Sequence, residues 1–238
     1  MHKSVESLLG TVIISCQAGP NVPLYGAENM AKMASCALQG GAGGIRACWP
    51  QDVAAIRAVC DKPIIGINKT TGKVDYLNDV FITPSLASAS EVIEAGADIV
   101  ALDCTIRPQR GLDELCRLLE SIRARHPDIA IMADLATLEE AKALDGTGLV
   151  DVLSTTLSGH TQNTQNLPQD TPNVQLVANI KESCHLPVNA EGGIMELRDL
   201  TAVLQAGADM VTIGRAVTMP WALTQRFVEK ARNYTARG

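Results

Sequence analysis

A lysine at position 69, a glutamate at 191 and an arginine at 215 each follow a short aliphatic run. Such groups move protons or clamp anions. The clearest case is residues 186–194, LPVNAEGGI, where the apolar run ends in Glu191 and Gly192 and Gly193 follow at once. An aliphatic run ending in a charge reads as a buried parallel strand that delivers one reactive group at its carboxyl end. Two glycines behind it leave backbone N–H groups uncovered by any Cβ, which suits the close approach of a phosphate. A helix beginning near Met195 would add its positive dipole end to the same place. The design recurs along the chain, with Gln17, Arg46, Lys69, Asp103, Asp134, the group Ser154, Thr155 and Thr156, Glu191, and Gly214 with Arg215 closing eight successive runs. An opposed lysine and carboxylate make an acid/base pair around a small substrate; the same two residues could instead form a structural ion pair. Arg215, in the run Ile213-Gly214-Arg215-Ala216, offers a charged clamp beside the glycine pair, or a salt bridge at a strand end. His160 sits in a polar loop and reads as a loop residue rather than a catalyst or ligand. The acids and the four histidines show no metal-ligand spacing, so no metal site is expected.

The elements that must position these groups alternate. Strands are expected at residues 11–17, 44–47, 62–69, 98–103, 129–134, 149–156, in the 186–194 run, and at 210–214. Helices are expected at 28–39, 51–59, 86–95, 112–125, 174–184 and 196–205, with one more capped by Thr137 and Glu140 and a last one from Pro220 to about 234. Polar segments at 70–78 and 158–173 interrupt the rhythm and are candidate loops over a site. The halves repeat: EAGADIV at 94–100 returns as QAGADMV at 205–211, and CDKP at 60–63 returns as CHLP at 184–187. Strand four thus answers strand eight, and strand three answers strand seven. The pattern predicts one (β/α)8 barrel over residues 1–238, with phosphate-binding loops after strands seven and eight. A doubly wound open sheet is the alternative, but GxGxxG and P-loop motifs are lacking. In the barrel, strands three and seven are four apart, so Lys69 and Glu191 face each other across the mouth.

Composition agrees. The 238 residues are 46% hydrophobic and only 3% aromatic, a core of small aliphatics that fits a parallel sheet wrapped in helices. A formal charge of −6 argues against nucleic acid or an anionic membrane as the main partner. Seven cysteines, odd in number and without CxxC pairs, imply a reducing compartment. With an amino terminus unlike a signal peptide and no run of roughly 18 apolar residues, a cytoplasmic location is expected.

Taken together, the segments SCQA at Ser15, MAKMA at Met30, GGIRA at Gly43, PIIGINK at Pro63, VFITP at Val80 and ALDCT at Ala101 resemble the N-acetylmannosamine-6-phosphate 2-epimerase family. MADLATLEEA at Met132, STTLSGHT at Ser154, AEGGI at Ala190 and IGRAVTMP at Ile213 extend the resemblance over nearly the whole chain. It implies inversion at C2 between N-acetylmannosamine 6-phosphate and N-acetylglucosamine 6-phosphate, in amino-sugar and sialic acid catabolism, without a cofactor. It places the catalytic lysine on Lys69 and the catalytic glutamate on Glu191. Substrate contacts fall on Gln17, Arg46, Asp134 and Arg215, with the amides of Gly192, Gly193 and Gly214 at the phosphate. The ring of strand ends adds Asp103, Ser154 and Thr155 to the substrate-facing set. C2 becomes acidic only when C1 is an open-chain aldehyde, so the ring must open before deprotonation. Lys69 is the expected base, and Glu191 shuttles protons for ring opening or returns a proton from the opposite face, although the roles could be reversed. Arg46 would stabilise the enediolate, and Asp134 would hold sugar hydroxyls and orient Lys69. The competing readings are another phosphosugar isomerase, an aldolase with a Schiff base on Lys69, or a catalytically inactive phosphosugar sensor. The last helix, with Leu223, Phe227 and Val228 on one side, could pack on the barrel or seal a dimer, and the resemblance implies a homodimer.

Overall fold

The computed structural model describes residues 1–235. Its strands are β1 (Val12–Cys16), β2 (Gly44–Cys48), β3 (Ile64–Ile67), β4 (Ile99–Asp103), β5 (Ala130–Asp134), β6 (Val152–Ser154), β7 (Val188–Glu191) and β8 (Met210–Ile213). All pair in parallel, each with its sequence neighbours, and β8 returns to β1 to close an eight-stranded barrel. The helices are α1 (Lys3–Glu6), α2 (Ala27–Gln39), α3 (Pro50–Arg57), α4 (Leu86–Glu94), α5 (Leu112–Arg125), α6 (Leu138–Leu144), α7 (Val174–Ser183), α8 (Leu197–Gln205), α9 (Arg215–Thr218) and α10 (Pro220–Thr235). The expected barrel is therefore present.

Side-chain alternation along the strands divides the apolar residues into two shells. Outward residues such as Ile45, Ile64, Val100, Ile131 and Val211 pack under the helices. Inward residues Ile13, Ile65, Ile67, Ile99, Met132, Val152 and Met210 fill the lower barrel, where each fully buried aliphatic contributes about 1.5–3 kcal/mol. Val5 and Leu8 join this inner cluster from the short α1, which the sequence pattern did not predict. Leu8 lies so close to the start of β2 that a Cβ on Gly44 would stand 2.6 Å from it.

The half-chain repeat has a structural meaning. Asp98 accepts the Ile64 N–H at 2.8 Å and pairs with Arg57 at 2.8 Å. Asp209 does the same with the Val188 N–H at 2.8 Å and Lys181 at 2.7 Å. Each repeated AGAD motif thus ties the start of one strand to the preceding strand and its helix. Asp151 forms a third such tie, to the Ile131 N–H at 2.7 Å and Arg123 at 2.5 Å. Thr137 and Glu140 form the expected capping box on α6. With the amino-terminal side of the strands secured in this way, the opposite rim is free to carry polar groups.

Candidate active site

The carboxyl ends of the strands open into a cavity of about 650 Å³, a size suited to a small phosphorylated molecule. Gln17, Lys69, Glu191, Gly192, Gly193, Gly214 and Arg215 all line it, bringing seven of the expected residues together. Ser15, Cys48, Trp49, Thr156, His160 and Thr212 are among the other polar and aromatic residues of its wall.

Lys69 lies two residues past β3, in an isolated bridge to Ile82. Its carbonyl accepts the Trp49 indole N–H at 3.0 Å, and the next N–H, of Thr70, binds the Phe81 carbonyl at 2.9 Å. Trp49 holds φ of 69° just before Pro50 at the start of α3, a left-handed conformation rare for a bulky residue. Such strain persists where surrounding contacts enforce it, and here the enforced position anchors the backbone of Lys69. Among the described residues Lys69 makes no ion pair, so its link to Glu191 is not a structural salt bridge.

Glu191 ends β7 above a buried polar cluster. Arg46 Nη1 lies 3.1 Å from Glu191 Oε2, while both guanidinium nitrogens reach Asp134, at 3.1 and 2.6 Å. The Thr156 hydroxyl sits 2.7 Å from Asp134 Oδ1 and 3.1 Å from Glu191 Oε2. Below them Asn189 donates to Ser154 Oγ at 2.7 Å and accepts from Thr212 at 3.0 Å. Two carboxylates therefore share one cation. Burial, reinforced by the charge of Asp134, pushes the Glu191 carboxyl above its ordinary range, against the opposing pull of Arg46, Thr156 and Lys69. Burial opposes the Arg46 charge, but Asp134 and Glu191 more than offset it and the guanidinium stays protonated. Burial pushes the Cys48 thiol up to about 11, which disfavours the nucleophilic thiolate.

Several expectations need correction. Arg46 is 1% exposed and Asp134 wholly buried: Arg46 bonds both Asp134 and Glu191, and neither Arg46 nor Asp134 lines the cavity. Asp103 is held by Arg107 at 3.0 Å and Arg110 at 3.3 Å from its own loop and is fully buried. Ser154 is consumed by Asn189 and Thr156, and Thr155 by the backbone of Glu191. None of these five lines the cavity. The helix expected near Met195 begins at Leu197, and Asp199 already accepts the N–H groups of Met195 and Glu196 at 2.9 Å each. Its dipole end is therefore occupied by a carboxylate rather than offered to a phosphate.

The end of the cavity expected to take a phosphate is formed by the glycine turn and Arg215. Gly192 and Gly193 adopt φ of 103° and 70°, which only glycine takes without cost. A Cβ on Gly193 would stand 2.3 Å from the Thr171 carbonyl, so the glycine also admits the β6–α7 loop against the turn. Arg215 lines the cavity and makes the salt bridge that was its alternative, 3.0 Å to Asp170, with a further bond to the Gln169 carbonyl. Trp49 was passed over in the sequence, Thr156 stood in the ring of strand ends, and His160, read there as a loop residue rather than a catalyst or ligand, lines the cavity. Only the polar character of the 158–173 segment hinted at His160, and nothing local signalled the orientation of Trp49.

Fold and cavity define a (β/α)8 barrel in which a lysine, a glutamate, an arginine and a glycine turn meet at the carboxyl ends of the strands. Residues 30–233 match the profile of the family NanE, "Putative N-acetylmannosamine-6-phosphate epimerase". A "Putative N-acetylmannosamine-6-phosphate 2-epimerase" of Listeria monocytogenes serovar 1/2a is 39% identical over 227 residues, covering 95% of this chain and 94% of the relative. One of the same name from Enterobacter sp. (strain 638) is 38% identical over 231 residues, covering 96% and 95%. The solved structure of the N-acetylmannosamine-6-phosphate 2-epimerase from Clostridium perfringens superimposes with a TM-score of 0.84 at 32% identity, covering 96% of both chains. The chain belongs to the N-acetylmannosamine-6-phosphate epimerase family.

Proposed function

We propose that the protein interconverts N-acetylmannosamine 6-phosphate and N-acetylglucosamine 6-phosphate by inverting C2 of the open-chain sugar. The observation that carries this reading is the placement of Lys69 and Glu191 at the ends of strands β3 and β7, on opposite sides of one cavity with an anion-binding turn at its rim. The phosphate is held by Arg215 and the amides of Gly192, Gly193 and Gly214, with Gln17 on the sugar. Lys69 removes the C2 proton from one face. Glu191, whose raised carboxyl favours the protonated form, delivers a proton to the other face. In the reverse direction the two exchange roles. Arg46 and Asp134 keep the Glu191 carboxyl oriented, and the Arg46 charge opposes build-up of negative charge beside it.

No described helix is long and apolar enough to cross a membrane, and all seven cysteines are free thiols, which supports a cytoplasmic setting. The reading extends to a homodimer formed through α10, whose Phe227 is 74% exposed beside the exposed Val228. The deciding experiment is proton NMR of N-acetylmannosamine 6-phosphate with wild type and Lys69→Met. Conversion to the gluco epimer by the wild type alone is expected. Binding without conversion would replace the epimerase with a sensor. Borohydride trapping of sugar on Lys69 would replace it with an aldolase.

A further inference from the structure

We infer that His160 is a further catalytic residue, one whose ring nitrogen carries the anomeric proton from O1 to the ring oxygen O5 and so opens the pyranose ahead of the C2 chemistry. The inference rests on the proposed epimerase reaction and goes beyond it, because neither Lys69 nor Glu191 needs to leave its C2 role. Among the four histidines of the chain, three are tied by hydrogen bonds. His2 Nε2 meets the Asp128 carbonyl at 2.7 Å, His126 Nε2 the Ser90 hydroxyl at 2.7 Å, and His185 Nδ1 the Asp145 carboxylate at 2.9 Å. None of these three lines the cavity. His160 does, and among the described residues neither of its ring nitrogens has a hydrogen-bond partner. An unpartnered imidazole in a polar cavity is a group left free for a ligand.

The backbone that presents it is built rather than loose. The His160 N–H binds the Leu157 carbonyl at 2.9 Å, and the His160 carbonyl accepts from Arg107 at 3.4 Å. On either side, the Gly159 N–H meets Thr164 Oγ1 at 3.0 Å, and the Thr161 and Thr164 hydroxyls meet at 2.8 Å. Burial, and then the positive charges of Arg215 on α9, Lys69 beyond β3 and Arg107 in the β4–α5 loop, hold the imidazole below its ordinary range and hence neutral near pH 7.

Arg215 and Lys69 line the same cavity as the imidazole, and their roles in the proposed reaction set which part of the sugar it meets. Arg215 marks the phosphate on C6 and Lys69 marks C2. The imidazole is influenced by both cations. The ring oxygen is bonded to C5, next to C6, and closes on C1, next to C2, so the C1–O5 bond lies between the two anchors. Ring opening moves one proton. The neutral nitrogen takes it from the O1 hydroxyl as the C1–O1 double bond forms and the C1–O5 bond breaks, its electron pair passing to O5. The imidazolium so formed, disfavoured by three surrounding cations, gives the proton to O5. Both oxygens are bonded to C1, so one nitrogen reaches each, and the residue ends as it began.

The test separates ring opening from epimerisation. In Lys69→Met, C2 chemistry stops but opening, rotation about C1–C2 and reclosure still exchange the α and β anomers of N-acetylmannosamine 6-phosphate. Saturation-transfer NMR should show anomer exchange faster with this variant than in buffer. Lys69→Met/His160→Phe and Lys69→Met/His160→Gln should both fall to the buffer rate, with phosphosugar binding retained. Alone, His160→Gln should lower kcat about 10²-fold or more with little change in KM, the scale of a lost general acid–base group. Anomer exchange that persists in the double variants, or is absent in Lys69→Met, overturns the role of His160. Absence of epimerisation by wild type instead overturns the proposed reaction, and the two failures are read from different signals.

Discussion

Replacing Arg46 with methionine isolates what the cluster beneath Glu191 contributes. The guanidinium is buried and bonds Asp134 at 2.6 and 3.1 Å and Glu191 at 3.1 Å. Methionine keeps part of the apolar stem but leaves two neighbouring buried carboxylates, Asp134 and Glu191, with the Thr156 hydroxyl between them. Removing one partner of a buried pair costs about 3–5 kcal/mol, and each kcal/mol lowers Tm by about 2–4 °C in a chain of this size. Arg46→Met should therefore melt about 6–20 °C below wild type near pH 8. Glu191 already holds its proton more tightly folded than unfolded. Protonation of such a group favours the fold below its ordinary range, and the advantage is lost as pH rises through the raised value. Without Arg46 that value rises further, so the deficit should be largest near pH 8 and shrink towards pH 5. The double variant Arg46→Met/Asp134→Asn, which removes one stranded charge, should recover a substantial part of it. Thermal melts followed by circular dichroism over this pH range provide the assay. A deficit under about 2 °C near pH 8, or one that grows on acidification, would refute the reasoning.

Gly193→Ala places a Cβ 2.3 Å from the Thr171 carbonyl at a φ of 70°. The loop that carries Gln169 and Asp170 onto Arg215 must shift, so KM should rise several-fold with a smaller change in kcat. Stability should fall by more than the roughly 0.4–1 kcal/mol that a Gly→Ala exchange gains at a compatible position, with KM read from steady-state kinetics and stability from melts; unchanged KM and Tm would show that the loop does not depend on the glycine. If α10 seals a dimer, sedimentation velocity should give a two-copy mass that Phe227→Glu reduces to one; a monomeric wild type would remove that part of the proposal.

Much of this was legible in the sequence. Eight aliphatic runs alternating with amphipathic helices allow little but a barrel, and the repeated AGAD motif located the matching halves because Asp98 and Asp209 perform the same tie. Strand ends identified the rim, and the glycine pair after Glu191 identified the turn. Depth was not legible. Asp103, Asp134 and Glu191 all end a strand, yet two lie fully buried against arginines and only the third reaches the cavity. Which carboxylate reaches the cavity depends on partners brought from elsewhere, Arg46 from β2 and Arg107 and Arg110 from the β4–α5 loop. The strand runs also overreached: residues 149–156 contain only Val152–Ser154 as strand, because pairing across the barrel rather than apolar content sets the ends. Loop side chains were hardest, since the tertiary contacts that aim His160 and Trp49 leave no local period.

The central claim is that Lys69 and Glu191 act from opposite faces of C2. Its most direct test is epimerisation in D₂O, with deuterium at C2 followed in both sugars during the first few per cent of reaction. Lys69 keeps the proton it removes and Glu191 supplies a solvent-derived one, so the account predicts one deuterium at C2 of the product and none in the remaining substrate. Product that retains its original C2 proton would mean that one group serves both faces, and would contradict the account.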